Sequence, residues 1–247
     1  MVPTVLDLVC VALFAVALPV WDYLVSWPAF HRMSKEDPPR ARKRLWLTCI
    51  VFSWPVVIAG AVLWMSHGRP WPLVGFSVPV GWRLWVSAAL VLLLALYVVY
   101  AVSAVSRDAQ AKETVRKQFT GAIADTMPHT KIEMGWFAAV SLTVAFYEEF
   151  LFRGYIIWVL SPWLGWWGAA ALSVVVFAIG HAYQGWNGVL KTGVVGVVYT
   201  VVVAVFVSLW PAILLHFLWD LSMGILAWLV LREGSVTDEV REAETQA

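Results

Sequence analysis

Three short stretches in the second half of the chain carry residues that could do chemistry together. They are Glu148, Glu149 and Arg153 in FYEEFLFRGYI, His181 in FAIGHAYQG, and His216 with Asp220 in LLHFLWDLS. Each stretch is otherwise apolar. A charge at bilayer depth costs at least ~2.5 kcal/mol on insertion scales, so charges there tend to face a protein interior and serve a purpose. Carboxylates and imidazoles are the groups that move protons to and from water, a substrate or one another. The three stretches fall on different helices and can converge only in a folded bundle.

Helix geometry sorts the first stretch. Successive residues step by about 100° around an α-helix, so Glu149 and Arg153 share a face one turn apart and can neutralise each other. Glu148 points elsewhere and lacks that cation. A buried carboxylate without a cation is suited to taking and returning a proton, which makes Glu148 the candidate general base and Glu149 the structural acid. The alternative is that all three form an ion-pair network with no chemical role. His216 and Asp220 are also one turn apart. Phe177 precedes His181 by one turn, so its ring can wall the imidazole. A lone histidine in an apolar helix is usually a satisfied core residue; the company of His216, Asp220 and Glu148 argues against that for His181.

The elements that must position these residues are membrane helices. Of 247 residues, 61% are hydrophobic and 13% charged, against about 25% charged in soluble domains. This excludes an ordinary soluble globule, a disordered chain and a nucleic-acid module. The net charge of +1 carries no signal by itself. Apolar runs occupy 3–26, 45–65, 82–105, 134–159, 164–184, 189–209 and 211–231, punctuated by Pro162, Gly185 and Pro211. At ~20 residues per crossing the expectation is an all-α, polytopic transmembrane bundle of about seven spanning helices, with an eighth or a broken one left open. Asp7 and Asp22 interrupt the first run near its two ends, where a carboxylate can still reach water. Many of the 17 tryptophans lie near the ends of runs, as suits the membrane boundary. Cys10 and Cys49 read as small buried hydrophobes rather than a disulfide. Gly188, Gly193 and Gly196 read as sites of close helix packing.

Cations set the expected topology. Arg32, Lys35, Arg40, Arg42, Lys43 and Arg44 cluster in 27–44, and Arg107, Lys112, Arg116, Lys117 and Lys131 in 106–133. With seven helices and an outside N-terminus both clusters lie in the cytoplasm, in accord with the positive-inside rule. The expected organisation is 1–105, variable N-terminal transmembrane helices; 106–133, a cytoplasmic amphipathic connector; 134–231, a catalytic helical core; and 232–247, a disordered polar tail.

The three motifs, Glu148-Glu149-x-x-x-Arg153, Phe177-x-x-x-His181 and His216-x-x-x-Asp220, resemble those of the CPBP intramembrane proteases, the CAAX-protease and bacteriocin-processing (Abi) proteins, which are related to type II CAAX prenyl endopeptidases. The lead-in MPHTKIEMGWFAAVSLTVAFYEEFLFRGY is similar to that of bacterial members, and the likeness covers roughly 125–232. It implies a glutamic endopeptidase that hydrolyses a peptide bond in a membrane-anchored protein or peptide. In that reading Glu148 activates a water, His181 helps hold it, and His216 with residue 220 stabilises the oxyanion; Glu149, Arg153 and Phe177 support the site. Asp220 departs from the asparagine frequent in the CAAX enzymes. An ionised aspartate cannot donate a hydrogen bond, so the expected role of Asp220 is to orient His216. No cofactor or metal is expected, although two histidines with carboxylates are also zinc-ligand types.

Two readings from other classes compete: a proton- or ion-coupled transporter, and a non-catalytic scaffold or immunity protein of the same fold. The chain shows none of the internal symmetry usual in transporters. The expected location is the bacterial inner membrane. On these boundaries Glu148 sits mid-membrane, His181 near the cytoplasmic end and His216 closer to the outside, so the helix carrying His181 is expected to run past 184.

Overall fold

The computed structural model describes residues 2–232. Apart from Arg232, the tail assigned to 232–247 lies outside the described residues. Eight helical runs account for most of the described chain: α1 Val5–Glu36, α2 Pro38–Ser66, α3 Trp82–Arg107, α4 Ala109–Arg116, α5 Gly121–Thr126, α6 Lys131–Gly180, α7 Ala182–Phe206 and α8 Trp210–Leu231. Among the described residues there is no strand. Six of the runs are long and apolar enough to cross a membrane. The chain is a polytopic helical membrane protein.

The fourth of those six is a hairpin. It has 50 residues, and a straight helix of that length would be about 75 Å long against ~30 Å of hydrocarbon. It breaks at Gly165, whose φ of 65° and ψ of 166° lie outside helical space and suit a residue without a Cβ. The two limbs then fold back on each other. The Ser173 hydroxyl donates to the Phe152 carbonyl at 2.6 Å, and Ile157 packs on Ala169 and Ala170. Among the described residues there are thus six candidate spans, one of them this hairpin, against the seven apolar segments of the sequence.

The first helix is longer than its apolar run. It continues past 26 to Glu36, and only Asp37 separates it from α2. Asp37 is an N-cap: its carboxylate accepts from the Arg40 amide at 3.1 Å, and Pro38 and Pro39 fill first-turn positions that need no N–H. A basic loop over 27–44 is thus replaced by two polar helix ends. The apolar pattern marks the membrane boundary, whereas the helix runs on to its capping residue.

Both basic segments lie at one end of the bundle. Arg42 on α2 is buried against Glu133 at the start of α6, Nη2 to Oε1 at 2.8 Å, and Trp46 Nε1 donates to the Thr126 carbonyl. Glu133 also closes a capping box with Thr130, fixing where α6 begins. At the opposite end the 67–81 connection is stitched to the α7–α8 turn. The Leu209 amide donates to the Gly75 carbonyl at 2.8 Å, and Ser77 and Ser208 exchange further bonds with that turn.

Asp7 does not reach water. It is fully buried, with its two oxygens each 2.7 Å from Arg69 and with the Tyr155 hydroxyl donating at 2.6 Å. This bidentate pair satisfies the carboxylate inside the protein and ties α1 to the loop after α2 and to α6. Beside it Trp64, fully buried, packs edge-on to Trp158 and Tyr155. These aromatic side chains join Phe150, Leu151, Ile156 and Phe177 in the main core. Cys10 and Cys49 are both free thiols.

Candidate active site

Glu148 ends the regular α-helical part of α6, and Glu149–Ile156 continues as a π-helical segment. Such wide turns are rare in helices and frequent at functional sites. All eight residues of this segment are buried.

The Glu149–Arg153 pair forms as the spacing requires, at 3.1 Å between Oε1 and Nη1, with both side chains almost wholly buried. Arg153 is held from three more sides. Its Nη2 donates to the Gly196 carbonyl at 3.3 Å, and its guanidinium lies 4.1 Å from the Phe177 ring centre and 5.8 Å from that of Tyr199. Gly196 permits this approach. A Cβ there would stand 3.1 Å from Phe177 Cδ1 and 3.3 Å from Arg153 Nη2. Of the three glycines singled out in α7, Gly196 is the one set against the motif residues.

Glu148 has no arginine or lysine partner among the described residues. Its carboxylate instead faces two imidazoles, Oε1 at 3.9 Å from His181 Nε2 and Oε2 at 3.8 Å from His216 Nε2, and its side chain keeps 13% exposure. Both distances are too long for direct hydrogen bonds and suit a bridging water. The three motifs therefore converge, with His181 and His216 both set against Glu148.

The reason is the length of the second limb of α6. Residues 166–180 rise only about 22 Å, and the helix stops at Gly180. His181 caps it, a 3₁₀ turn follows at Ala182–Gln184, and Gly185 with φ 76° begins the return. The expected extension of this helix past 184 is overturned: early termination, not extra length, brings His181 level with Glu148. Its Nδ1 donates to the Phe177 carbonyl at 2.9 Å, which points Nε2 at Glu148. The Phe177 ring lies 4.8 Å from the imidazole, as the one-turn spacing implies.

His216 is approached at both ring nitrogens. Its Nδ1 is 2.9 Å from Glu149 Oε1, so the acid assigned to its own helix also holds the imidazole of α8. Asp220 lies 3.5 Å from Nε2 and is 30% exposed, on the same nitrogen that faces Glu148. Glu149 makes the shorter contact, and Asp220 stands beside the other ring nitrogen. Tyr199, which no motif singled out, stacks on His216 with ring centres 4.9 Å apart. The other oxygen of Glu149, Oε2, is buried without a hydrogen-bond partner among the described residues. Also among those residues, no group of three His, Cys, Asp or Glu side chains is disposed to hold a metal ion.

These features define a class: a polytopic membrane protein whose partly buried carboxylate meets two imidazoles, one at the end of the second limb of α6 and one on α8. The segment 130–222 matches the family model described as type II CAAX prenyl endopeptidase Rce1-like. It contains all three motifs, and the family is the one their resemblance pointed to. It implies a protease. No curated protein and no solved structure matches the chain.

Proposed function

We propose that the protein is an intramembrane endopeptidase that hydrolyses a peptide bond of a membrane-anchored protein or peptide with a water activated by Glu148. The observation that carries this reading is the position of Glu148, without an arginine or lysine partner among the described residues and 3.8–3.9 Å from two imidazole nitrogens. A water in that gap can hydrogen-bond to the carboxylate and to His181. Glu148 removes a proton from it, and the oxygen attacks the substrate carbonyl carbon. The oxyanion that forms accepts from His216 Nε2–H, while Nδ1–H stays on Glu149. Glu148 then passes its proton to the departing amine nitrogen as the C–N bond breaks. Arg153 keeps Glu149 in place, and Asp220 supports the protonated face of His216.

The test is comparative proteomics of cells carrying wild-type or Glu148→Gln protein. Uncleaved, membrane-tethered precursors are expected to accumulate in the variant. Complete processing of every such precursor in the variant would defeat the assignment and favour the scaffold reading.

A further inference from the structure

The proposed chemistry draws no residue from α7, yet α7 sets a ring against the site. Tyr199 is almost wholly buried, and its ring stacks on His216 with centres 4.9 Å apart and planes 23° from parallel. Its surroundings fix it. Val203 follows one turn later on α7, and Leu209, Ala212 and Ile213 complete the same cluster. Ala212 and Ile213 stand one turn before His216 on α8, so the Tyr199 ring lies along the face of α8 that carries the imidazole. One turn before Tyr199, the Gly196 carbonyl accepts from Arg153 and from the Thr200 hydroxyl, and the Arg153 guanidinium lies 5.8 Å from the Tyr199 ring centre.

This contact supplies what the polar partners of His216 leave open. The hydrogen bond from Nδ1 to Glu149 Oε1, at 2.9 Å, fixes one atom of the ring. Nε2, the nitrogen that would meet the oxyanion, lies 3.5 Å from Asp220 and 3.8 Å from Glu148, both beyond the usual range of such bonds. The outer torsion of a histidine side chain is broad, so the ring can still tilt about its held edge. A flat ring packed on one of its faces restricts that tilt, and stacked aromatic pairs favour this arrangement beyond the area they bury.

We propose that Tyr199 is a positioning residue that holds the plane of the His216 imidazole, and so the direction of Nε2, through the face of its ring. The role rests on the protease reading, in which Nε2 must point at the oxyanion; the contact between the rings does not. Because the face of the ring does the holding, phenylalanine at this position can replace tyrosine and an aliphatic side chain cannot. A residue that only filled the core would leave the imidazole as ordered with either.

The test reads the imidazole directly. The full chain with isotope-labelled histidine rings is placed in phosphatidylglycerol nanodiscs, and exchange of the His216 Nδ1–H with water is followed by NMR, its signal being the one that His216→Gln removes. Tyr199→Leu is expected to speed this exchange about tenfold, and Tyr199→Phe to keep it within about twofold of wild type. Cleavage of the precursor that accumulates in Glu148→Gln cells should follow the same order. In the leucine variant kcat should fall about tenfold with KM within about twofold, since only the transition state meets Nε2. An unchanged exchange rate or an unchanged kcat in Tyr199→Leu overturns the role, and so does a phenylalanine variant as impaired as the leucine one. Tyr199→Met is used if the leucine variant does not fold; failure of both to fold assigns the ring to core packing alone and also overturns it. Exchange altered as expected, with no cleavage by the wild-type chain, defeats the protease reading and leaves the ring contact standing.

Discussion

His216 Nδ1 and Glu149 Oε1 lie 2.9 Å apart, although 67 residues separate them in the chain. Glu149 also binds Arg153, so one buried carboxylate couples the helix of the proposed base to the helix of the proposed oxyanion donor. Support and chemistry therefore meet at Glu149, and its removal should show in both stability and rate.

Glu149→Ala leaves Arg153 buried without its anion, which costs about 3–5 kcal/mol. A clear drop in Tm in detergent is the expected result, with activity lost as His216 is released. Glu149→Gln retains a similar shape and should be milder on both counts. A melting curve superimposable on wild type for the alanine variant would contradict the paired geometry.

Glu148→Gln should behave in the opposite way. The side chain has no arginine or lysine partner to strand, so Tm is expected within a few degrees of wild type. Turnover should fall by about 10²–10⁴-fold, the range for loss of a general base. Single-turnover cleavage of an identified precursor, measured beside Tm, checks both halves.

For His216 and Asp220 the order of severity is fixed by distance. Glu149, at 2.9 Å, holds the imidazole; Asp220 stands at 3.5 Å and is partly exposed. Asp220→Asn should therefore reduce kcat less than His216→Ala. Equal and complete loss in both would show that the Asp220 charge is as necessary as the imidazole itself.

Gly196→Val tests the back wall. Its Cβ would press on Phe177 and Arg153, whose positions are fixed by the π-helical segment and by Glu149. Overpacking of this kind costs about 1–3 kcal/mol, and here it also displaces the cation that holds Glu149. A fall in Tm accompanied by reduced kcat is expected; Gly193→Ala, where the nearest atom is Ala178 Cβ at an ordinary 3.5 Å, should change neither.

Arg69→Met at the far end of the bundle separates stability from chemistry. It strands the buried Asp7 and should cost about 3–5 kcal/mol. The remaining folded fraction should retain wild-type kcat, because Asp7, Arg69 and Tyr155 bond to one another and, among the described residues, not to Glu148, His181 or His216. Active-site titration alongside Tm distinguishes fewer active molecules from slower ones.

The sequence by itself determined what depends on local geometry. Long apolar segments dictate helices because a membrane leaves backbone groups no other partner. One-turn spacing dictates that Glu149 meets Arg153 and that Phe177 walls His181. Tertiary structure decided everything that depends on where helices end and which faces turn inward. The break at Gly165 and the stop at Gly180 set the depth of His181, and the capping residue Asp37 carried α1 beyond its apolar run. The burial of Asp7 by Arg69, the stacking of Tyr199 on His216 and the grip of Glu149 on His216 join residues far apart in the chain. No periodicity encodes those contacts, because they exist only once separate helices have chosen a common register.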